Sequence, residues 1–95
     1  MVYIVFSHND KVAKGEYSFD SWPTLEYIST NKEKAVEFLE KERYRYFTME
    51  NNEIEEDSPN EFGVYVDTWW YHYWIEEFPE DTDLRAYYIK KDNIF

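Results

Sequence analysis

Six consecutive ring-bearing residues, Trp69-Trp70-Tyr71-His72-Tyr73-Trp74, lie inside a 39-residue interval, residues 46–84, that holds no lysine or arginine. The run constrains the fold more than any other feature. As a helix from 68 onward, Trp69, Trp70, Tyr73, Trp74 and Glu77 would share one side. Aromatic and β-branched side chains fit a pleated strand better than a helix, and the segment from Gly63 to Phe78 is therefore predicted to be one extended strand. Its even positions, Val64, Val66, Thr68, Trp70, His72, Trp74, Glu76 and Phe78, form a mostly apolar face, and its odd positions, Tyr65, Asp67, Trp69, Tyr71, Tyr73, Ile75 and Glu77, form an amphipathic one. Such a strand needs neighbours to pair with and a second layer to cover its apolar side.

The same interval carries the whole net charge. Twelve of the 21 carboxylates fall within it, Glu50, Glu53, Glu55, Glu56, Asp57, Glu61, Asp67, Glu76, Glu77, Glu80, Asp81 and Asp83, while the rest of the chain is nearly neutral and the total is −11. A field of this sign repels phosphates and attracts basic surfaces.

Ninety-five residues allow one domain, 1–95, with one modest core. An aromatic content of 22% exceeds what such a core can absorb, so part of it is expected at the surface as contact area. The absence of cysteine removes disulfides, thiol nucleophiles and thiolate zinc sites. The apolar start Val2-Tyr3-Ile4-Val5-Phe6 lacks a basic leader and gives way to polar residues at Ser7, so it reads as a strand rather than a signal peptide. No window approaches the roughly 20 apolar residues of a membrane span, and a soluble, cytoplasmic protein is expected.

Along the chain, residues 2–6 read as a buried strand ending at a polar cluster over 7–11. Lys14-Gly15 signals a turn, Tyr17, Phe19 and Trp22 follow, and Pro23 interrupts any ladder before a second short strand, Leu25 to Ser29. Thr30-Asn31-Lys32-Glu33 is a capping box, with the Thr30 hydroxyl and the Glu33 carboxylate each satisfying a free backbone N–H. It opens a helix over 31–47 whose Ala35, Val36, Phe38, Leu39 and Tyr46 face a sheet. Residues 50–61 are too acidic and too poor in apolar residues for a core element and are expected to form a loop. After Pro79 and a turn at 80–83, Leu84 to Lys90 supply a last strand. The expected fold is α+β in ββαββ order, a small antiparallel sheet with one amphipathic helix packed on one face.

Three pieces of the chain, Val2 to Phe6, Ser29-Thr30-Asn31-Lys32-Glu33-Lys34-Ala35-Val36-Glu37-Phe38, and Tyr73-Trp74-Ile75-Glu76-Glu77-Phe78, together cover about a third of it. In them the sequence resembles a group of small bacterial and phage-encoded proteins of unknown function. These share a Tyr-Ile-Val-type first strand, a Ser-Thr-x-x-Glu-Lys-Ala-x-x-Phe helix start and an aromatic strand ending in Ile-Glu-Glu-Phe. The resemblance implies a ββαβ core and assigns no activity to any residue. By analogy, small acidic phage proteins often inhibit host-defence enzymes such as restriction systems, antiviral nucleases or DNA glycosylases.

For chemistry, the acidic interval points first to nucleic-acid mimicry. Carboxylates spaced like phosphates, Glu53, Glu55, Glu56, Asp57 and Glu61 on one segment and Glu76, Glu77, Glu80, Asp81 and Asp83 on another, would occupy the Lys and Arg that an enzyme offers to DNA. Trp69, Tyr71 and Tyr73 would add a desolvated anchor. The bland alternative is that both clusters are solvated loops that keep an aromatic-rich domain soluble. His8 and Asp10, with His72 and Glu76 or Asp67, offer metal ligands at no organised spacing, and neither a metal nor a cofactor is expected. Two glycines exclude a phosphate-cradling loop, no serine stands in a nucleophile elbow, and no carboxylate pair is marked for acid/base work, so no catalysis is expected. The basic residues of the helix, Lys32, Lys34, Lys41, Arg43 and Arg45, alternate with glutamates as helical ion pairs, which argues against direct nucleic-acid binding.

Two functions follow. The first is a non-enzymatic acidic protein that binds and inhibits a basic-surfaced nucleic-acid-processing enzyme of host defence. The second is a phage protein that sequesters a nucleotide immune signal in an aromatic pocket, with Arg85, Lys90 and Lys91 as the nearest cations. A homodimer through an aromatic edge strand is compatible with both.

Overall fold

The computed structural model describes residues 1–11 and 23–80. The described chain runs β1 (Val2–Lys11), β2 (Thr24–Ser29), α1 (Lys32–Phe47), β3 (Asn52–Ser58), β4 (Glu61–Val66) and β5 (Trp69–Phe78). All neighbours in the sheet are antiparallel and the spatial order is β2-β1-β5-β4-β3. The general reading, a small antiparallel sheet with one helix, is correct. The element order is not: over the described residues it is ββαβββ rather than ββαββ.

Three local corrections explain the difference. The stretch from Gly63 to Phe78 is not one strand, because the chain reverses at Asp67-Thr68, where Asp67 takes a left-handed backbone with φ of 56°. Aspartate tolerates that region better than a branched residue. Residues 52–58, expected as loop, form β3, paired with β4 from Asn52↔Val66 to Ser58↔Glu61 around a bulge between Ile54 and Glu56. An edge strand needs few buried apolar residues, so its acidic composition concealed it. Finally, β1 continues through the polar cluster 7–11, because β5 extends to Trp69 and pairs with it as far as Lys11. The strand expected over 84–90 lies outside the described residues.

The helix begins one residue later than expected. Asn31, not Thr30, is the N-cap: its φ and ψ of −109° and 114° are extended, and its Oδ1 accepts from the Glu33 backbone N–H at 2.9 Å. Ser29 Oγ accepts from Asn31 N–H at 3.0 Å. Asparagine is among the strongest caps, and here its side chain reaches the free N–H that the Thr30 hydroxyl was expected to serve. At the other end, Thr48 Oγ1 donates to Tyr44 O at 2.8 Å.

The α1 segment leaves the sheet at one edge strand, β2, and re-enters at the other, β3, crossing the sheet on the way and touching all five strands. Ala35, Leu39 and Tyr46 are buried against Val5, Phe62, Val64 and Tyr73. Phe38 stacks on Tyr27, with centroids 5.0 Å apart and planes 10° from parallel. Burial of apolar surface stabilises this layer by about 25 cal/mol per Å², and stacked aromatic pairs of this kind add to it. Because residues paired across a ladder share a face, Tyr3, Val5, Tyr71, Tyr73, Ile75, Phe62 and Val64 point toward the helix. The opposite face of the sheet belongs to Ile4, Phe6, His8, Trp70, His72 and Trp74. Of the odd positions of β5, expected to be the amphipathic ones, Tyr71, Tyr73 and Ile75 therefore pack under the helix, while Trp69 and Glu77 at the two ends stay exposed.

Candidate functional site

The sheet face away from α1 carries two features side by side. One is a continuous stack of rings. Tyr65 packs on Trp70 at 4.7 Å between centroids, Trp70 on His72 at 5.8 Å, His72 on Trp74 at 4.8 Å and Trp74 on Phe6 at 5.7 Å. The stack follows from strand periodicity: 70, 72 and 74 project from one face of β5, while the register places Tyr65 beside Trp70 and Phe6 beside Trp74. Trp70 has room because it lies over Gly63, whose missing side chain leaves the space its ring fills. Sequence reasoning had the even-numbered face of this strand but not the stack, since the partners come from strands 1 and 4.

Polar groups fix the stack in place. His72 Nε2 lies 2.5 Å from Glu61 Oε2, and Trp74 Nε1–H donates to Glu76 Oε1 at 3.0 Å. Register also sets His8 directly opposite His72. Burial lowers the pKa of His8, Asp10 partly offsets that by raising it, and the His72 ring lowers it further. No group of three or more metal-ligating side chains forms among the described residues.

The other feature is the acidic edge. Glu53, Glu55, Glu56 and Asp57 are exposed on β3, the outermost strand at that side of the described sheet. Glu53 and Glu56 pair with Tyr65 and Gly63 and share the face of the stack, whereas Asp57 pairs with Phe62 on the helix side. Glu61 at the start of β4 continues the acidic set onto the stack face, and Glu76 stands on that face near the end of β5. Between β3 and β5, residues 52–78, there is no lysine or arginine.

The remaining candidates are dispersed. Tyr73 is 3% exposed and Tyr71 stacks on Tyr46 at 4.4 Å, so both serve the core and offer a partner no anchor of the kind expected. Trp69, 44% exposed, is the member of the proposed anchor that does reach solvent. Glu77 pairs with Lys32 at 3.7 Å, and Glu80 with the N-terminal ammonium at 3.5 Å. Asp81 and Asp83 lie outside the described residues, as do Arg85, Lys90 and Lys91.

One residue that anchors the acidic strand reads in the sequence only as a surface ion-pair member. Arg43, with 12% of its side chain exposed, sits over the Phe62 ring, pairs with Glu40 at 3.1 Å and with Asp57, and donates through Nη2 to Ser58 O at 2.6 Å. It ties α1 to the end of the acidic strand. By contrast, the carboxylates of Glu55 and Glu56 make no hydrogen bond or ion pair among the described residues. No helix among the described residues is long and apolar enough to cross a membrane. Comparison with protein families, curated proteins and solved structures finds no match to this chain.

Proposed function

We propose that this protein is a non-enzymatic inhibitor that binds the basic nucleic-acid site of an enzyme of host defence in the cytoplasm, with the acidic edge of its sheet in the place of nucleic acid. The observation that carries the reading is the edge itself: Glu53, Glu55, Glu56 and Asp57 stand exposed in succession on one strand, with no lysine or arginine from β3 to β5. Glu61 and Glu76 extend the negative field across the ring-bearing face. Long-range attraction of this kind steers basic surfaces to the edge and weakens over a Debye length of about 8 Å at physiological salt. The target class comes by analogy with small acidic phage proteins that inhibit host-defence enzymes.

The nucleotide-sequestering alternative is less well supported. The rings of Trp70, His72 and Trp74 lie against one another and against Tyr65 and Phe6, so their π-faces are already occupied. A nucleobase could stack on these three rings only by opening that series, which leaves Trp69 as the exposed indole of the run.

The test has two steps. Proteins retained from host lysate at low salt and released at high salt are identified, and each nucleic-acid enzyme among them is purified and assayed with its DNA or RNA substrate. The proposal expects this protein to compete with the substrate, and the Glu55→Gln/Glu56→Gln variant to compete less well. An absence of competition by every retained enzyme would overturn it.

A further inference from the structure

Building on the basic-surface reading, on which the inference rests, we propose that β3 receives its partner as an added strand: a basic, extended segment that pairs with the outer edge of the sheet. Among the described residues β3 has a neighbour on one side only, β4, and no described strand occupies the backbone N–H and C=O groups of its outer side. Strand addition uses this kind of row, main-chain hydrogen bonds giving affinity and alternate side chains giving selectivity.

The side chains select the occupant by charge. Glu56 stands on one face of β3 with Glu55 at the bulge before it, so an added strand meets two exposed carboxylates, while Asp57 on the other face is held by Arg43. Opposite charges directly across a ladder stabilise it and like charges destabilise it. A second copy of β3 would place carboxylate against carboxylate, which excludes self-pairing as the occupant. A strand bearing Lys or Arg is the complement. Ile54, 47% exposed midway along the strand, gives an apolar side chain of the incoming segment a contact.

The edge is also held rigid at both ends. Asn52 Nδ2 donates to Phe47 O at 2.7 Å and Met49 O at 2.9 Å, and Arg43 grips the other end through Asp57 and the Ser58 carbonyl. A strand fixed in the conformation it must adopt in the complex loses little freedom on binding. A solvated loop, the form expected from composition, would not have that advantage.

The probe is a seven-residue peptide of alternating Lys and Val, matched to the length of β3, added to the isotope-labelled full chain at low salt. A second peptide of the same charge carries N-methyl groups along its pairing edge. The proposal expects the first peptide to shift and protect the amides of residues 52–58, and the N-methylated one to bind at least about tenfold more weakly, a loss equivalent to one or two hydrogen bonds. Glu55→Gln/Glu56→Gln should weaken the first peptide by about threefold to tenfold, the range for two exposed ion pairs. Equal binding of both peptides would overturn strand addition and leave basic-surface binding standing. Binding of neither would also overturn it, and the enzyme competition assay would then decide the parent reading independently.

Discussion

Gly63 and Trp70 share one volume: a Cβ built on Gly63 would stand 2.4 Å from Cη2 and 2.9 Å from Cζ2 of the Trp70 indole. The glycine is therefore a matter of close approach between a backbone and a ring. Gly63→Ala should displace Trp70 and open the stack toward His72, at a cost of about 1–3 kcal/mol, the range for overpacking a filled site. Trp70→Phe in the same chain should recover part of the loss by shortening the ring. Urea unfolding of the single and double variants measures both effects, and equal stability of Gly63→Ala and the parent would show that the ring relaxes freely.

Beneath the helix, the hydroxyls of Tyr46 and Tyr73 lie 3.3 Å apart in the core. Burial, the hydrogen bond and charge of Tyr46, and the nearby carboxylates of Glu42 and Glu26 push the Tyr73 pKa far above the ordinary tyrosine value. A raised folded-state pKa contributes stability that is complete below the unfolded value of about 10 and is lost as pH rises past it. The domain should therefore weaken in alkali above about pH 10, and Tyr73→Phe should reduce that dependence. At neutral pH Tyr73→Phe leaves the Tyr46 hydroxyl without this partner and should cost about 1 kcal/mol, whereas replacing both tyrosines by Phe should be nearly neutral. A pH-independent unfolding midpoint through the alkaline range would contradict the assignment.

His8 gives the opposite sign at the acid end. Its folded pKa is lowered, by burial first and by His72 across the ladder, against the raising effect of Asp10. Its contribution is complete above the unfolded value of about 6.5 and is lost as pH falls through the lowered folded one. Unfolding midpoints should begin to drop just below pH 6.5, before carboxylates with ordinary pKa values near 4 start to titrate. In His8→Gln the drop should begin later, with the carboxylates alone. The same onset in both proteins would remove His8 from the effect.

What the sequence revealed depended on whether a signal was local. The capping box from Thr30 to Glu33 and the period of Ala35 and Leu39 announce the α1 helix to within one residue of its start, and Trp70, His72 and Trp74 announce a strand by their rings. The reversal at Asp67-Thr68 was hidden because apolar residues continue on both sides of it, and β3 because an edge strand does not need the apolar pattern by which buried strands are recognised. Which side of β5 is buried depends on pairing: Tyr73 is in the core because β1 and β4 place Ser7 and Phe62 beside it. For the same reason the acidic residues were legible as a set while their division was not, with Glu56 on the open face and Asp57 turned toward Arg43.

That division yields the last prediction. Neutralising Glu55, Glu56 and Asp57 together treats as one feature what the fold separates into two. Asp57 partners Arg43, whose guanidinium is mostly buried over Phe62 and also holds the Ser58 carbonyl, while Glu55 and Glu56 stand on the edge without a described partner. Glu55→Gln/Glu56→Gln should leave stability within about 0.5 kcal/mol of the parent, as surface substitutions usually do. Asp57→Asn should cost about 0.5–1.5 kcal/mol, because the half-exposed partner of a charge-assisted pair is lost while Glu40 and the carbonyls remain. Arg43→Ala should cost about 2–3 kcal/mol, since it strips several hydrogen bonds and the packing on Phe62 at once. Urea unfolding ranks the three, and amide exchange across residues 52–58 locates the damage: faster exchange in β3 for Arg43→Ala, slight for Asp57→Asn, none for the double glutamine variant. If the double variant unfolded as readily as Arg43→Ala, the acidic edge would be part of the scaffold, and a loss of binding in that variant would no longer report on recognition.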